Sequence, residues 1–295
     1  MIHHESCPVC YSSDFRHSLT CTDHFKSQEE FKLFTCSVCG FTFTQDHPAD
    51  DEAGKYYKSD DYISHSDTSR GLVNKIYRLV RGMMLRKKRR LVVKASGVQT
   101  GRILDIGTGT GHFAFEMKKN GWITSGIEIN GEARQASIER FGLEIISPEQ
   151  ISSLVSASYD CITLWHVLEH FNDLSLYIRE ISRLLKPGGT LIVALPNINS
   201  FDAAHYKSHW AAYDVPRHVW HFNPDTFSFL FESRGFKMTR VSALPLDVFY
   251  ISILSEKYRG NSLAFVTGML KGAVFAIRAF FNIRKTSSLI YVLRK

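Results

Sequence analysis

Three groups of residues in this chain have types and spacings that could do chemistry. Cys7, Cys10, Cys36 and Cys39 form two C-x-x-C pairs, "CPVC" and "CSVCG". The turn "LDIGTGTGHF", residues 104–113, sets Asp105 ahead of Gly107, Gly109 and Gly111, and Glu128 falls in the next apolar run, "GIEI". Histidines gather in "WHVLEH" (His166, His170) and in "YDVPRHVWHF" (His218, His221), the latter beside Tyr213 and Asp214.

Both thiolates of a C-x-x-C pair can face one ion, and two pairs supply the four soft ligands of a tetrahedral zinc. A module this short buries little apolar surface, so the metal is expected to hold the fold, with no position left for water. Extended segments such as "KLFTC" and "FTFT" fill the gap between the pairs as a hairpin. Cys21 and His24 lie inside that gap and are alternative ligands, whereas Cys161 sits in an apolar strand pattern and reads as core. Disulfides are disfavoured, because no basic start followed by an apolar run marks a secretory signal and the cytoplasm is reducing.

The glycines are spaced G-x-G-x-G, and the third comes one residue too early for the dinucleotide fingerprint G-x-G-x-x-G. A carboxylate at Asp105 opposes a pyrophosphate but attracts an ammonium or sulfonium group. Glu128, at a strand end, can accept hydrogen bonds from both hydroxyls of a ribose. A cofactor with a ribose, no phosphate and a cationic amino-acid tail fits both acids, and S-adenosylmethionine is such a cofactor. An NAD-dependent oxidoreductase is the weaker alternative.

Positioning these residues requires an α/β frame. "RILDI", "WITSGIEI", "LEII", "YDCITL" and "GTLIVAL" are short apolar runs that alternate with helical stretches after Gly111, after Gly131, around "QISSLV" and across "NDLSLYIREISRLL". Such alternation predicts right-handed βαβ units and a parallel sheet. "LLKPGG" ends a helix and turns into the fifth strand. "NPDTFSFLFESRGF" is a helix capped by Asn223 with Pro224 at its first position, and "FKMTRVSAL" and "SSLIYVLRK" complete seven strands.

Together "ILDIGTGTGHF", "GIEIN", "YDCITLWHVLEHFND" and "LLKPGGTLIVALPN" resemble the successive motifs of class I S-adenosylmethionine-dependent methyltransferases over residues 101–245. The resemblance implies a Rossmann-like sheet of order 3-2-1-4-5-7-6, last strand antiparallel, with a small N-terminal zinc-binding module. It also implies that Asp105, Gly107, Gly109 and Gly111 hold the methionine portion, with Thr108, His112 and Phe113 in the same stretch. Glu128 would take the ribose, Ile129 an adenine face, and Leu164, Trp165 and His166 the surroundings of the sulfonium. Where the family often has an acid near the adenine amine, this chain offers Ser147, Pro148 and Glu149.

Methyl transfer is an in-line displacement that mainly needs alignment and the exclusion of water. A base is required only if the acceptor must lose a proton, and His218, His221, His166 and Asp214 are the catalytic candidates, with Tyr213 and His170 beside them. The cysteine module joined to this core also resembles zinc-bearing sugar C-methyltransferases, whose further C-terminal domain this length does not accommodate.

The net charge of +7, from 36 basic and 29 acidic residues, is uneven: no acid occurs between Asp67 and Asp105 or from Lys257 onward. From Leu72 the apolar residues Leu72, Ile76, Leu79, Val80, Met83 and Met84 recur at helical spacing among basic ones, predicting a cationic amphipathic helix after a polar, Tyr-rich loop. "NSLAFVTGMLKGAVFAIRAFFNIRK" is apolar apart from Lys271 and Arg278 in its interior, and is expected as a lid, a dimer contact or a basic helix at a membrane interface. The expected organisation is a zinc-ribbon-like module at 1–48, a connector and basic helix at 49–100, and a methyltransferase domain at 101–295 with a helical apolar insertion at about 260–286. The expected function is methyl transfer to a small molecule, sugar or lipid-linked glycoconjugate in the cytoplasm or at the inner face of the membrane. The alternative is an RNA or protein methyltransferase gripping its substrate through the zinc module and basic helix. Nucleic acid is the disfavoured partner, since the fourth-strand motif lacks the Asn/Asp-Pro-Pro-aromatic pattern of base-amine methylation.

Overall fold

The computed structural model describes residues 1–56 and 72–295, without the side chains of residue 51 and residues 72–78. The remainder of the Tyr-rich connector, residues 57–71, lies outside the described residues. In chain order the strands are β1 (Phe15–Thr22), β2 (Glu30–Cys36), β3 (Thr42–Thr44), β4 (Arg102–Ile106), β5 (Ile123–Ile127), β6 (Glu144–Ile146), β7 (Tyr159–Trp165), β8 (Leu185–Pro196), β9 (Trp220–His221), β10 (Lys237–Ala243) and β11 (Ser288–Arg294).

Seven of them form one sheet in the order β6-β5-β4-β7-β8-β11-β10. Numbered within that sheet this is 3-2-1-4-5-7-6, the expected order. β4 pairs in parallel with β5 and β7, and β5 with β6. β11 runs against β8: Gly188 N–H donates to Lys295 O at one end, and Asn197 N–H donates to Ser287 O at the other. β4 and β8 are buried along almost their whole length, as parallel strands covered on both faces must be.

The chain divides into two compact units, Met1–Lys58 with His166–Leu174 and Ala194–Tyr291, and Ser59–Trp165 with Ser175–Val193 and Val292–Lys295. In the second, the helix His112–Lys119 follows the glycine turn and Gly131–Phe141 follows β5, capped by the Asn130 side chain accepting from Ala133 N–H. The helix Leu72–Ser96 is present as predicted. Its buried residues differ from the predicted stripe, however: Leu79 and Met83 are 61% and 43% exposed, and Val92 is fully buried.

In the first unit, β1-β2-β3-β9 form a small antiparallel sheet whose β2–β3 hairpin is the expected one. Beside it two helices, Asp247–Tyr258 and Ala264–Phe281, form an antiparallel hairpin. Ala264, Gly268, Gly272, Phe275 and Ala279 share the buried stripe of the second helix. The helices touch backbone to backbone there: a Cβ on Gly268 would lie 2.5 Å from Ile253 Cα, and one on Gly272 3.1 Å from Phe249 Cα.

Several local expectations are corrected. The Tyr-rich segment begins with helical turns at Asp50–Ala53 and Gly54–Tyr56. "QISSLV" yields the 3-10 turn Pro148–Ser153 in place of a helix, and "KPGG" is absorbed into β8, where Lys295 bonds Gly188 and Gly189. The two cations of Ala264–Phe281 turn inward: Lys271 pairs with the buried Glu256 at 2.7 Å, and Arg278 lies 4.2 Å from the centre of the Phe201 ring. The outer face, including Phe265, Leu270, Ile277, Phe280 and Phe281, is therefore exposed and apolar.

Overpacking a site this tight forces backbone shifts that cost about 1–3 kcal/mol. Gly268→Leu is expected to lower stability by about that amount in urea unfolding, while Val266→Leu on the exposed face leaves it unchanged within about 0.5 kcal/mol.

Candidate functional site

The two cysteine pairs form equivalent loops. Tyr11 N–H donates to Cys7 O at 2.9 Å and Gly40 N–H to Cys36 O at 3.0 Å. Tyr11 and Gly40 are both left-handed, with φ of 62° and 74°. The loops bring the four Sγ atoms within 4.8 Å of one another, with Cys7 and Cys39 at 3.6 Å and Cys10 and Cys36 at 3.5 Å. Those spacings are far longer than a disulfide and near the ~3.8 Å edge of a tetrahedron with zinc–sulfur bonds of ~2.3 Å. All six cysteines are free thiols. Burial pushes the Cys7 thiol up to about 11; burial also opposes ionisation of Cys36, but the backbone N–H groups of Cys39 and Val38 hold that thiol below its usual value. Cys21 does not join them. It packs with Phe31, Leu33, Tyr56 and Val215, and burial lifts its thiol to about 12. His24 stacks on Tyr258, ring centres 4.5 Å apart.

The glycine turn is assembled around Glu128. One carboxylate oxygen accepts the Gly109 N–H at 2.7 Å and the other the Asn130 N–H at 2.9 Å. Ser137 Oγ donates to Gly109 O at 3.0 Å, so both ends of this glycine are held. Gly109 has φ +55° and a Cβ there would meet nothing within 4 Å, whereas one on Gly111 would sit 2.7 Å from Leu143 Cδ1. The second glycine thus leaves room for a ligand to approach backbone, and the third serves helix packing. Asp105 lies between Gly126 and Thr163 in register, is buried, and accepts from Thr163 Oγ1 at 2.7 Å. Burial pushes its carboxyl up to about 6 against that hydrogen bond. These features fit the predicted cofactor: an acid fixed by two backbone N–H groups, an open glycine and a second buried acid.

The other predicted cofactor residues are scattered in exposure. Leu164 is fully buried, Phe113 meets Trp165 edge-on at 5.4 Å, and Ile129 is 72% exposed beside Glu128 in sequence. Thr108 N–H donates to Ile127 O at 3.0 Å, and His112 Nε2 is 3.2 Å from Arg81 Nη1. Lys88 was not singled out from sequence, yet its ammonium lies 4.2 Å from the centre of the Trp165 ring. Nothing but its place in a run of cations marked it.

The histidines enter a buried ionic network in the first unit. His166, the residue after β7, has φ +58°, an unusual value for a residue with a side chain and one associated with functional sites. Its Nε2 is 2.9 Å from Asp247 and its Nδ1 3.5 Å from Glu169. Burial opposes its charge, but Asp247 and then Glu169 lift its pKa to about 10. That pairing favours the charged ring over the neutral one. His221 is 3% exposed, lies 2.9 Å from Thr44 Oγ1, and is pushed down to about 3, chiefly by burial. Its role is to fasten β9 to β3.

Asp214 is bound by Arg217 through two bonds, 3.0 and 2.6 Å, and the same guanidinium reaches Tyr56 O at 2.9 Å and Asp23 at 3.2 Å. That makes Asp214 a structural partner, with burial opposing and Arg217 enforcing its ionised form. His218 and His170 meet edge to face at 4.6 Å, and Tyr213 packs edge-on against Trp210. Glu169, Asp247 and Arg217 were not anticipated. Glu169 had a local signal, an acid at helical spacing from His166, whereas Asp247 comes from a helix with no sequence link to either.

Removing one member of a buried ion network leaves the others uncompensated, at about 3–5 kcal/mol. Arg217→Met is expected to destabilise the protein by about that much. Arg217→Lys should recover only part of it, because an ammonium cannot reproduce the forked contacts; equal stability of the Arg217→Lys variant and wild type in urea unfolding would contradict this geometry.

Comparison with known proteins agrees with this layout. The ubiquinone biosynthesis O-methyltransferase of Aeromonas salmonicida is 32% identical over 114 residues, 36% of this chain and 48% of that protein. Its counterpart in Pseudomonas aeruginosa is 32% identical over 112 residues, 35% and 48%. The chain thus spans about half the length of the curated relatives it matches. Among solved structures, a SAM dependent methyltransferase from Archaeoglobus fulgidus aligns with TM-score 0.50 and 19% identity over 73% of this chain and 94% of that one. The cyclase SpnF aligns at 0.51 and 17%, over 71% and 80%. Fold likeness at this identity shows the architecture alone. The family model described as a methyltransferase domain matches residues 80–241, more than half of the chain. The chain therefore belongs to the methyltransferase-domain family, on the class I S-adenosylmethionine-dependent fold.

Proposed function

We propose that this protein transfers a methyl group from S-adenosylmethionine to a hydroxyl oxygen of a small lipophilic acceptor. The observation that carries the reading is the Glu128 carboxylate, fixed by Gly109 and Asn130 N–H groups beside an open glycine. Glu128 and Ile129 would hold the adenosine, and Asp105 with the turn from Gly107 to Gly111 the amino-acid end. When bound, the cofactor supplies a carbon activated by a positive sulfur. His166 has both ring nitrogens engaged, by Asp247 and Glu169, so it is not assigned the acceptor's proton, which would leave to water.

Oxygen as acceptor atom is supported by the O-methyltransferases among the relatives. A lipophilic acceptor is supported by the outer face of Ala264–Phe281, a helix long and apolar enough to cross a membrane by length and composition, with only 28% of it buried. With its cations turned inward, that face suits the boundary of a bilayer. The four cysteines would hold a structural zinc: their spacing, equivalent loops and free thiols suit a closed four-sulfur site.

Incubation with methyl-labelled S-adenosylmethionine and, separately, a prenylated phenol, a nucleotide-linked sugar and RNA tests the reading. Label on the phenol oxygen supports it, and label only on sugar or RNA overturns it. Loss of a charge-assisted hydrogen bond costs about 1.5–3 kcal/mol. Glu128→Gln is therefore expected to weaken adenosylhomocysteine binding by about 10–100-fold in calorimetry and, because one backbone N–H loses its acceptor, to lower urea stability as well.

Membrane contact has its own test. Phe280 and Phe281 are 85% and 83% exposed. Replacing both by Asp is expected to abolish co-flotation with anionic phospholipid vesicles while leaving adenosylhomocysteine affinity unchanged. Equal flotation of the variant and wild type would remove this helix from the membrane reading.

A further inference from the structure

Beyond the cysteine cluster, a second set of ligand-type side chains converges within the first unit. We propose that Glu169, His170 and His218 form a divalent-metal site that takes a first-row transition ion through one carboxylate oxygen and two imidazole nitrogens. One ligand atom from each residue lies within 4.8 Å of the others, near enough to share an ion.

The hydrogen bonds of the two histidines set which nitrogen is offered. His170 Nδ1 is 2.9 Å from Arg217 O, and His218 Nδ1 is 2.9 Å from Ala212 O. A carbonyl oxygen can only accept, so each Nδ1 carries the proton and each neutral ring keeps its lone pair on Nε2. Donation of the other ring N–H to a backbone carbonyl is the arrangement by which metal-binding histidines are oriented and made more basic.

Glu169 supplies the independent observation. It is 1% exposed, and among the described residues neither carboxylate oxygen has a hydrogen-bond partner; His166 Nδ1 stands 3.5 Å away and that ring is shared with Asp247. A buried carboxylate without donors is costly, and a cation bound beside it offsets that cost.

The ligands are also preorganised. Glu169 and His170 belong to the turn Leu168–His170, whose Glu169 O accepts Val219 N–H at 2.8 Å. His218 N–H donates to Asp214 O at 3.0 Å, and Asp214 is clamped by Arg217. Two imidazoles and one carboxylate favour zinc, cobalt, nickel or iron over magnesium or calcium, and leave at least one position for water or a ligand oxygen.

Titration of Co²⁺ into the full-length protein, followed by visible absorption, separates this site from the cysteines, because only thiolate-bound cobalt gives sulfur-to-metal charge transfer. One equivalent bound with weak ligand-field bands and no thiolate charge transfer is expected, and Glu169→Gln should lose that equivalent. Cobalt taken up solely with thiolate bands by the wild-type protein overturns the site, whatever the variant does. Unchanged uptake by a folded Glu169→Gln overturns it too. Neither readout depends on methyl transfer, so failure here leaves the proposed reaction standing.

Discussion

The 2.7 Å hydrogen bond from Gly109 N–H to Glu128 is the contact on which the cofactor half of the molecule depends. It joins the turn after β4 to the end of β5, two points 19 residues apart, through a charge-assisted bond at a buried site. The turn can bend back onto the acid because Gly107, Gly109 and Gly111 all take left-handed backbone angles. Ser137 then draws the following helix onto the same glycine. The second acid, Asp105, is held beneath by Thr163 from β7, so three neighbouring strands contribute to one arrangement.

The first unit is organised by a different interaction, the fork of Arg217. A single guanidinium satisfies Asp214, Asp23 and a backbone carbonyl, and thereby ties residues near the N-terminus to the loop that carries His218. Such buried ion networks are poor sources of net stability, because desolvation consumes most of the attraction. What they supply is geometry. Here the geometry is that of Glu169, His170 and His218, whose backbone is pinned by the same loop.

The sheet and the cofactor turn were legible in the sequence because their signals are local. Alternating apolar runs report strands buried on both faces, and the spacing of Gly107, Gly109, Gly111 and Glu128 reports a turn facing an acid. The cysteine pairs were legible for the same reason. The histidine roles were not. The surroundings of His166 are set by Asp247, 81 positions away in numbering, and those of His221 by Thr44, 177 positions away. Composition gave "QISSLV" enough apolar residues for a helix, but Pro148 and the serines allow only a short 3-10 turn.

The same limit explains the apolar insertion. Read along the chain, Lys271 and Arg278 make Ala264–Phe281 look like a basic interfacial helix. Placed against Asp247–Tyr258, they are the residues that anchor it: Glu256 accepts from Lys271, Asn261 and Thr267, and is held down to about 2 in spite of its burial. The small residues between these cations let the two backbones approach, leaving the large side chains only the outward direction. Each Phe or Leu left there forgoes roughly 1.5–3 kcal/mol of burial. A stripe of such residues along 18 positions is a sizeable deficit in water, and the helix is retained in spite of it. Burial of that face against an apolar medium removes the deficit without disturbing any of the charges, since every one of them is already spent on the inner side.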